Sequence, residues 1–177
     1  MINMLFWNIR GVENITIILK KLIKIYSLQL VVIVKPNTGV ENITSIRIKL
    51  GMDCYLSNHS VLCGFFYRSP FICQNIGESI QHLTIHVQSQ LFSVSIYFSC
   101  VHAKCTNQER ESLWSALMLD KPVSSPWFLA GDFNVIVNGG KRGGLLVRPT
   151  EGLNFLNFMS MAKVCDANFT GRSDERR

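Results

Sequence analysis

The 177-residue chain has 6 cysteines but no Cys-x-x-Cys pair, and its 4 histidines show no zinc-finger spacing. This excludes the usual signature of a structural zinc site. Cys54, Cys63, Cys73, Cys100, Cys105 and Cys165 are therefore expected to be reduced thiols. The start MINMLFWNIRG lacks the ordered basic, apolar and small-residue regions of a secretory signal, so an intracellular place, nuclear or cytoplasmic, is expected. Without export, the Asn-x-Ser/Thr triplets at Asn14, Asn42, Asn58 and Asn168 carry no weight. Long hydrophobic runs are also missing. The most apolar stretch, Leu28 to Val34, lies between Lys24 and Lys35 and is far shorter than the roughly 20 residues a spanning helix needs. No repeat, low-complexity tract or interdomain linker is visible.

Charge is scarce at 17%, and acidic charge scarcer: 12 Asp and Glu against 18 Lys and Arg leave a formal net charge of +6. An apolar content of 47% is enough to bury a core, so one globular domain over 1–177 is expected and disorder of the whole chain is not. The basic balance favours polyanions such as DNA or RNA. It gives no reason to expect a membrane or an obligate protein partner.

MLFWNIRG is a short apolar run broken by Gly11, which reads as a buried strand delivering Asn8 to its end. From about Asn14 to Tyr26, Ile15, Ile18, Leu19, Leu22 and Ile25 recur at helical spacing, opposite Lys20, Lys21 and Lys24. LQLVVIVKP then reads as a second strand, completing a βαβ unit. Between Ile43 and Ser99 short β-rich runs, including SVLCGFFYR, QHLTIHVQ and LFSVSIYFSCVHA, predict antiparallel strands. Thr106 and Glu109 have capping-box spacing at the head of a helix to Leu119. SSPWFLAGDFNVIV is a further strand, Gly139 to Gly144 a basic glycine-rich loop, and Thr150 to Met161 a helix starting at a Thr cap. The closing GRSDERR is polar and expected to fray.

Chemistry concentrates at Gly131-Asp132-Phe133-Asn134. On an extended strand Asp132 and Asn134 share one side while Phe133 turns to the core, and Gly131 permits close backbone approach. A carboxylate behind so apolar a run needs a metal, water or amide partner. Strand ends are where α/β sheets usually place such groups.

Three blocks in order, WNIRG at 7–11, VHAKCT at 101–106 and PWFLAGDFNVI at 126–136, resemble successive motifs of the endonuclease/exonuclease/phosphatase superfamily. The nearest likeness is to the apurinic-endonuclease-like domain of plant LINE retrotransposons. That resemblance implies an α/β (α+β) fold, an αββα four-layer sandwich of two mainly antiparallel sheets flanked by helices, left incomplete here at the C-terminus. It also implies a Mg²⁺-dependent phosphodiesterase, in which a hard cation held by carboxylate and amide oxygens stabilises phosphate charge. By resemblance Asn8 and Asp132 would serve the metal, with Asn8 placing the carboxylate. Asp132 would orient and deprotonate the attacking water, and Asn134 would help bind the phosphate.

The chain departs from the pattern at three places. Lys35 stands where the family carries a metal-binding Glu; an ammonium has no lone pair to give and repels a dication, so metal binding is expected to be weakened. His102 stands where the family carries a Tyr that contacts the phosphate, and is a candidate to substitute for it in part. The family's Ser-Asp-His block has no equivalent, since Ser173-Asp174-Glu175 lacks the His and follows GDFN too soon. His59, His82 and His86 form no metal cluster by spacing, and Lys141, Arg142 and Arg148 are candidates to track a DNA backbone. Three readings follow: a Mg²⁺-dependent DNA nuclease, a non-catalytic remnant with weak nucleic-acid affinity, and a phosphatase on the same scaffold.

Overall fold

The structure is a computed structural model describing residues 3–9, 15–36, 39–135, 141–142, 145–146 and 152–167. The chain divides into two compact units, Met1–Val135 and Ile136–Arg177.

The first unit is built from two four-stranded sheets. One has the order β1-β2-β4-β3, from strands Met4–Asn8, Leu30–Val34, Cys63–Tyr67 and Cys54–Ser57; the other has the order β5-β6-β7-β8, from Ile72–Glu78, His82–Gln88, Ile96–His102 and Trp127–Asp132. β1 and β2 run parallel, joined through helix α1 (Ile15–Ile25), and β7 and β8 run parallel, joined through helix α3 (Asn107–Asp120). All other pairings in these sheets are antiparallel.

Strand alternation shows how the layers stack. Leu30, Val32 and Val34 of β2 join Phe65, Leu83, Ile85, Val87, Phe98 and Cys100 in a core between the sheets. Val31 and Ile33 face the other way, into a core with Leu19 and Ile23 of α1 and with Ile43, Ile46 and Leu50 of a helix α2 (Val40–Leu50). Both faces of β2 are covered, which is why LVVIV is apolar without alternation and buried at all five positions. Across the other sheet α3 packs on β5 and β6, burying Arg110, Leu113, Trp114 and Leu117. The result is the expected α+β, αββα layering.

Several local expectations are corrected. Ile43–Leu50 is helical, not part of the β-rich segment. Its branched residues favour strand locally, but burial of Ile43, Ile46 and Leu50 on one face overrides that preference, and Ile48 is left exposed. Gly51 closes α2 at φ 67, the left-handed conformation that glycine adopts without strain. In α1 the buried stripe is Leu19 and Ile23; Ile18 and Ile25 point outward. The Thr106 hydroxyl does cap α3, accepting the Glu109 N–H at 3.3 Å. β8 ends at Asp132, so Asn134 reaches the site from beyond the strand.

The second unit contains a two-stranded ladder, β9 (Lys141–Arg142) with β10 (Leu145–Leu146), and helix α4 (Leu153–Ala162). α4 has Gly152 at its N-cap with no side-chain cap, two residues after the expected Thr cap; Thr150 lies outside the described residues. Also outside them are the side chains of Lys141 and Arg142, all of Arg148, and the terminal GRSDERR. Among the described residues no helix is long and apolar enough to cross a membrane, and all six cysteines are free thiols.

Candidate active site

The parallel pairs β1/β2 and β7/β8 bring four strand ends to one rim. Asn8 is the register partner of Val34, so Lys35 is the first residue past it on the neighbouring strand. His102 is the register partner of Asp132. Asn8 and Asp132 lie on different sheets, and the Asn8 Nδ2 donates to Asp132 Oδ2 at 3.2 Å, bridging them.

Asp132 is fixed by its neighbours. Its Oδ1 accepts the Asn134 N–H at 3.2 Å, an Asx-type turn, and its carbonyl accepts the Ala103 N–H at 2.8 Å. Asn134 adopts φ 49, a left-handed conformation that Asn tolerates better than most residues. Its Nδ2 donates to Ala103 O at 2.6 Å. Gly131 is required by space: a Cβ there would sit 2.0 Å from the Val101 carbonyl oxygen, so only glycine lets β8 lie in this register against β7.

Two buried residues that sequence reasoning missed hold this rim. Gln81 accepts the His102 N–H on its carbonyl and the Lys104 N–H on Oε1, both at 2.7 Å, and its Nε2 donates to Glu109 O at 2.9 Å. Arg110 Nη1 donates to the carbonyls of Lys104 at 3.1 Å, Cys105 at 2.8 Å and Asn134 at 2.8 Å, and Nη2 donates to Asn107 Oδ1. A charged residue in register with the apolar stripe of Leu113, Trp114 and Leu117 was the only available signal for Arg110. Gln81 carried none.

His102 is half-buried. Burial lowers its pKa from the usual 6.5, the Lys35 ammonium lowers it further, Asp132 opposes, and Lys104 lowers it again. Its Nδ1 is buried with no hydrogen-bond partner. Lys35 has φ 59, with its N–H donated to Leu62 O at 2.8 Å. The other histidines lie elsewhere. His82 is buried between Ser79 Oγ at 2.8 Å and Asp120 Oδ2 at 2.9 Å, His86 lies against the Tyr97 ring, and His59 pairs with Glu78.

The donor set does not fit a divalent cation. Among the described residues Asp132 is the one carboxylate at these strand ends, both its oxygens already accept hydrogen bonds, and Lys35 stands at the position where a second carboxylate is expected. Among the described residues no group of three His, Cys, Asp or Glu side chains could hold a metal.

No protein family model matches the chain, and no curated protein matches it. Solved structures do. The endonuclease domain of TRAS1, a telomere-specific non-LTR retrotransposon, matches with TM-score 0.69 at 9% identity over 92% of this chain and 71% of its own. An AP endonuclease from Leishmania major gives TM-score 0.64 at 14% identity over 89% and 65%. An endonuclease/exonuclease/phosphatase family protein from Bacteroides thetaiotaomicron gives TM-score 0.53 at 11% identity over 74% and 62%. This chain thus spans less than two thirds of the last two. Likeness at these identities is likeness of fold, and what WNIRG, VHAKCT and PWFLAGDFNVI led us to expect is what the strand order delivers: the chain has the endonuclease/exonuclease/phosphatase-type fold.

Proposed function

We propose that this chain is an endonuclease/exonuclease/phosphatase-type domain of retrotransposon origin, descended from a Mg²⁺-dependent DNA phosphodiesterase, whose hydrolytic site is disabled at Lys35. The observation that carries this reading is the rim itself. Asn8 and Asp132 are hydrogen-bonded across the sheets at 3.2 Å, with Lys35 rather than a carboxylate at the end of β2.

The remaining parts support a phosphodiesterase ancestry. Asp132 is held where a carboxylate could orient a water, Asn134 is anchored beside it, and His102 is its register partner. A net charge of +6 suits a nucleic-acid backbone as the partner. The TRAS1 domain and the Leishmania protein are described as endonucleases, which makes nucleic-acid phosphodiesters the substrate class for this reading. Retained nucleic-acid affinity without hydrolysis is the state expected of such a site.

The test is nicking of supercoiled plasmid with and without Mg²⁺ by the unaltered chain, Lys35→Glu and Asp132→Ala. The unaltered chain and Asp132→Ala should leave the plasmid intact, and Lys35→Glu should gain Mg²⁺-dependent nicking. Nicking by the unaltered chain that disappears in Asp132→Ala would overturn the loss of hydrolysis.

A further inference from the structure

A cavity of about 590 Å³ opens in the first unit at the end of the sandwich away from the rim. Its walls include the start of β3 (Cys54), the end of β4 (Tyr67), the start of β5 (Ile72) and the end of β6 (Gln88). Tyr67 is the register partner of Leu30 at the start of β2, and β2 reaches the rim at its other end, so the cavity and the Asp132 rim lie at opposite ends. The volume falls within the roughly 300–1,000 Å³ usual for a small-molecule site.

Two features of the lining restrict what such a molecule can be. The inner wall is apolar. Phe71 is buried with its ring 5.7 Å from that of Phe92, Tyr67 packs against the core between the sheets, and Ile72 is exposed. Covering this surface removes it from water and favours an aromatic occupant. The other feature is charge: among the residues lining the cavity, Asp53 is the one charged side chain. The Asp53 N–H donates to Tyr67 O at 3.1 Å and its Oδ2 accepts the Ser69 N–H at 2.9 Å, so β4 and the connection after it hold the carboxylate. Its Oδ1 has no partner among the described residues.

Two guanidiniums lie near, and both are engaged elsewhere. Arg47 donates to Met52 O at 3.2 Å and Asp53 O at 2.8 Å, and Arg68 donates to Gly51 O at 2.7 Å and Leu50 O at 3.4 Å. These carbonyls stand at the end of α2 and just past it, where the helix dipole is negative, and neither arginine lines the cavity.

We propose that this cavity binds a small aromatic amine, with its ring against Tyr67, Phe71 and Ile72 and its ammonium on Oδ1 of Asp53. The site is separate from the rim and does not depend on whether hydrolysis survives there.

The test uses the full chain and three probes of one shape: tryptamine, its neutral counterpart tryptophol, and the anion indole-3-propionate. Binding is read from the amide NMR shifts of Cys54, Phe71, Ile72 and Gln88. Tryptamine should give saturable shifts at these residues, with tryptophol weaker by about fivefold or more, since a charge-assisted hydrogen bond to an exposed carboxylate is partly screened. Indole-3-propionate should bind weakest of the three. Asp53→Asn should bring tryptamine and tryptophol within about twofold of each other, because only the charge-assisted contact is lost. Cys54 is exposed and lines the cavity, so tryptamine should also slow its alkylation by iodoacetamide. Alkylation of Cys105 and Cys165, exposed thiols outside the lining, should not change.

Absence of shifts with all three probes would overturn the proposal, as would equal affinity for tryptamine and tryptophol in the unaltered chain. Tryptamine binding that leaves Cys54 alkylation unchanged would put the ligand elsewhere and overturn it too. The three-probe comparison needs no variant, so poor folding of Asp53→Asn does not remove the test.

Discussion

Asn8 and Asp132 stand 124 positions apart in the chain, on opposite sheets, and the amide of one donates to the carboxylate of the other at 3.2 Å. The bond ties the first strand of the fold to the last strand of the first unit at the rim where four strand ends meet. Removing the donor in Asn8→Ala should cost about 0.5–1.5 kcal/mol, the usual worth of an accessible hydrogen bond. Asn8→Asp should cost more at neutral pH, because two carboxylates then face each other, and the excess should shrink as the pH falls and they protonate. Urea unfolding of both variants at neutral and acidic pH measures this; an Asn8→Asp deficit that does not vary with pH would show that the pair is not in contact.

How much of this was legible in the sequence depends on how local the cause was. Asn8, Asp132 and Asn134 were found because each ends or follows an apolar run, and that punctuation is written in consecutive residues. The helix over Val40–Leu50 was not, because Ile43, Thr44, Ile46 and Ile48 favour strand locally and only the core beneath decides otherwise. The single strand expected to carry both Asp132 and Asn134 was not found for a similar reason: it stops at Asp132, and a side-chain bond to the Asn134 N–H turns the chain. Gln81 and Arg110 hold the rim through backbone carbonyls and amides; Gln81 leaves no pattern in the sequence, and Arg110 only its place in the apolar stripe of α3.

Gly131→Ala is expected to be severe although it adds one methyl group. The new Cβ would lie 2.0 Å from the Val101 carbonyl oxygen, and backbone on both strands would have to move apart. A loss of about 2 kcal/mol or more is expected, toward the upper end for overpacking. Separation of β7 from β8 should also shift the amide resonances of Ala103 and Asp132 more than those of β1. Denaturant unfolding together with an amide shift map checks both, and a variant within about 0.5 kcal/mol of the unaltered chain would contradict the packing described.

Arg110 predicts a local loosening under two replacements of similar length. Its guanidinium reaches the carbonyls of Lys104, Cys105 and Asn134 from one buried position. Arg110→Lys keeps the charge but cannot span three acceptors from a fixed fork, so about 1.5–3 kcal/mol should be lost. Arg110→Met keeps much of the stem and leaves all three carbonyls without this donor. In both variants the Asn134 N–H should exchange faster with solvent relative to the α3 interior, because the loop carrying it is no longer held. Uniform acceleration across the whole chain would instead indicate a global loss of stability.

His102 gives the pH dependence its sign. Burial, with Lys35 and Lys104, holds its folded pKa below the usual 6.5. The unfolded chain therefore takes up the proton first as the pH falls. The stability associated with neutral His102 is fully present above the unfolded value and is lost as the pH drops through it toward the folded value. His102→Gln should flatten the stability profile below about pH 6.5 relative to the unaltered chain. Lys35→Gln should raise the His102 midpoint by removing the second largest cause while leaving it depressed, since burial remains. Imidazole NMR titration of the unaltered chain and Lys35→Gln reads both midpoints directly. A His102 midpoint unmoved by Lys35→Gln would mean that the ammonium does not face the imidazole.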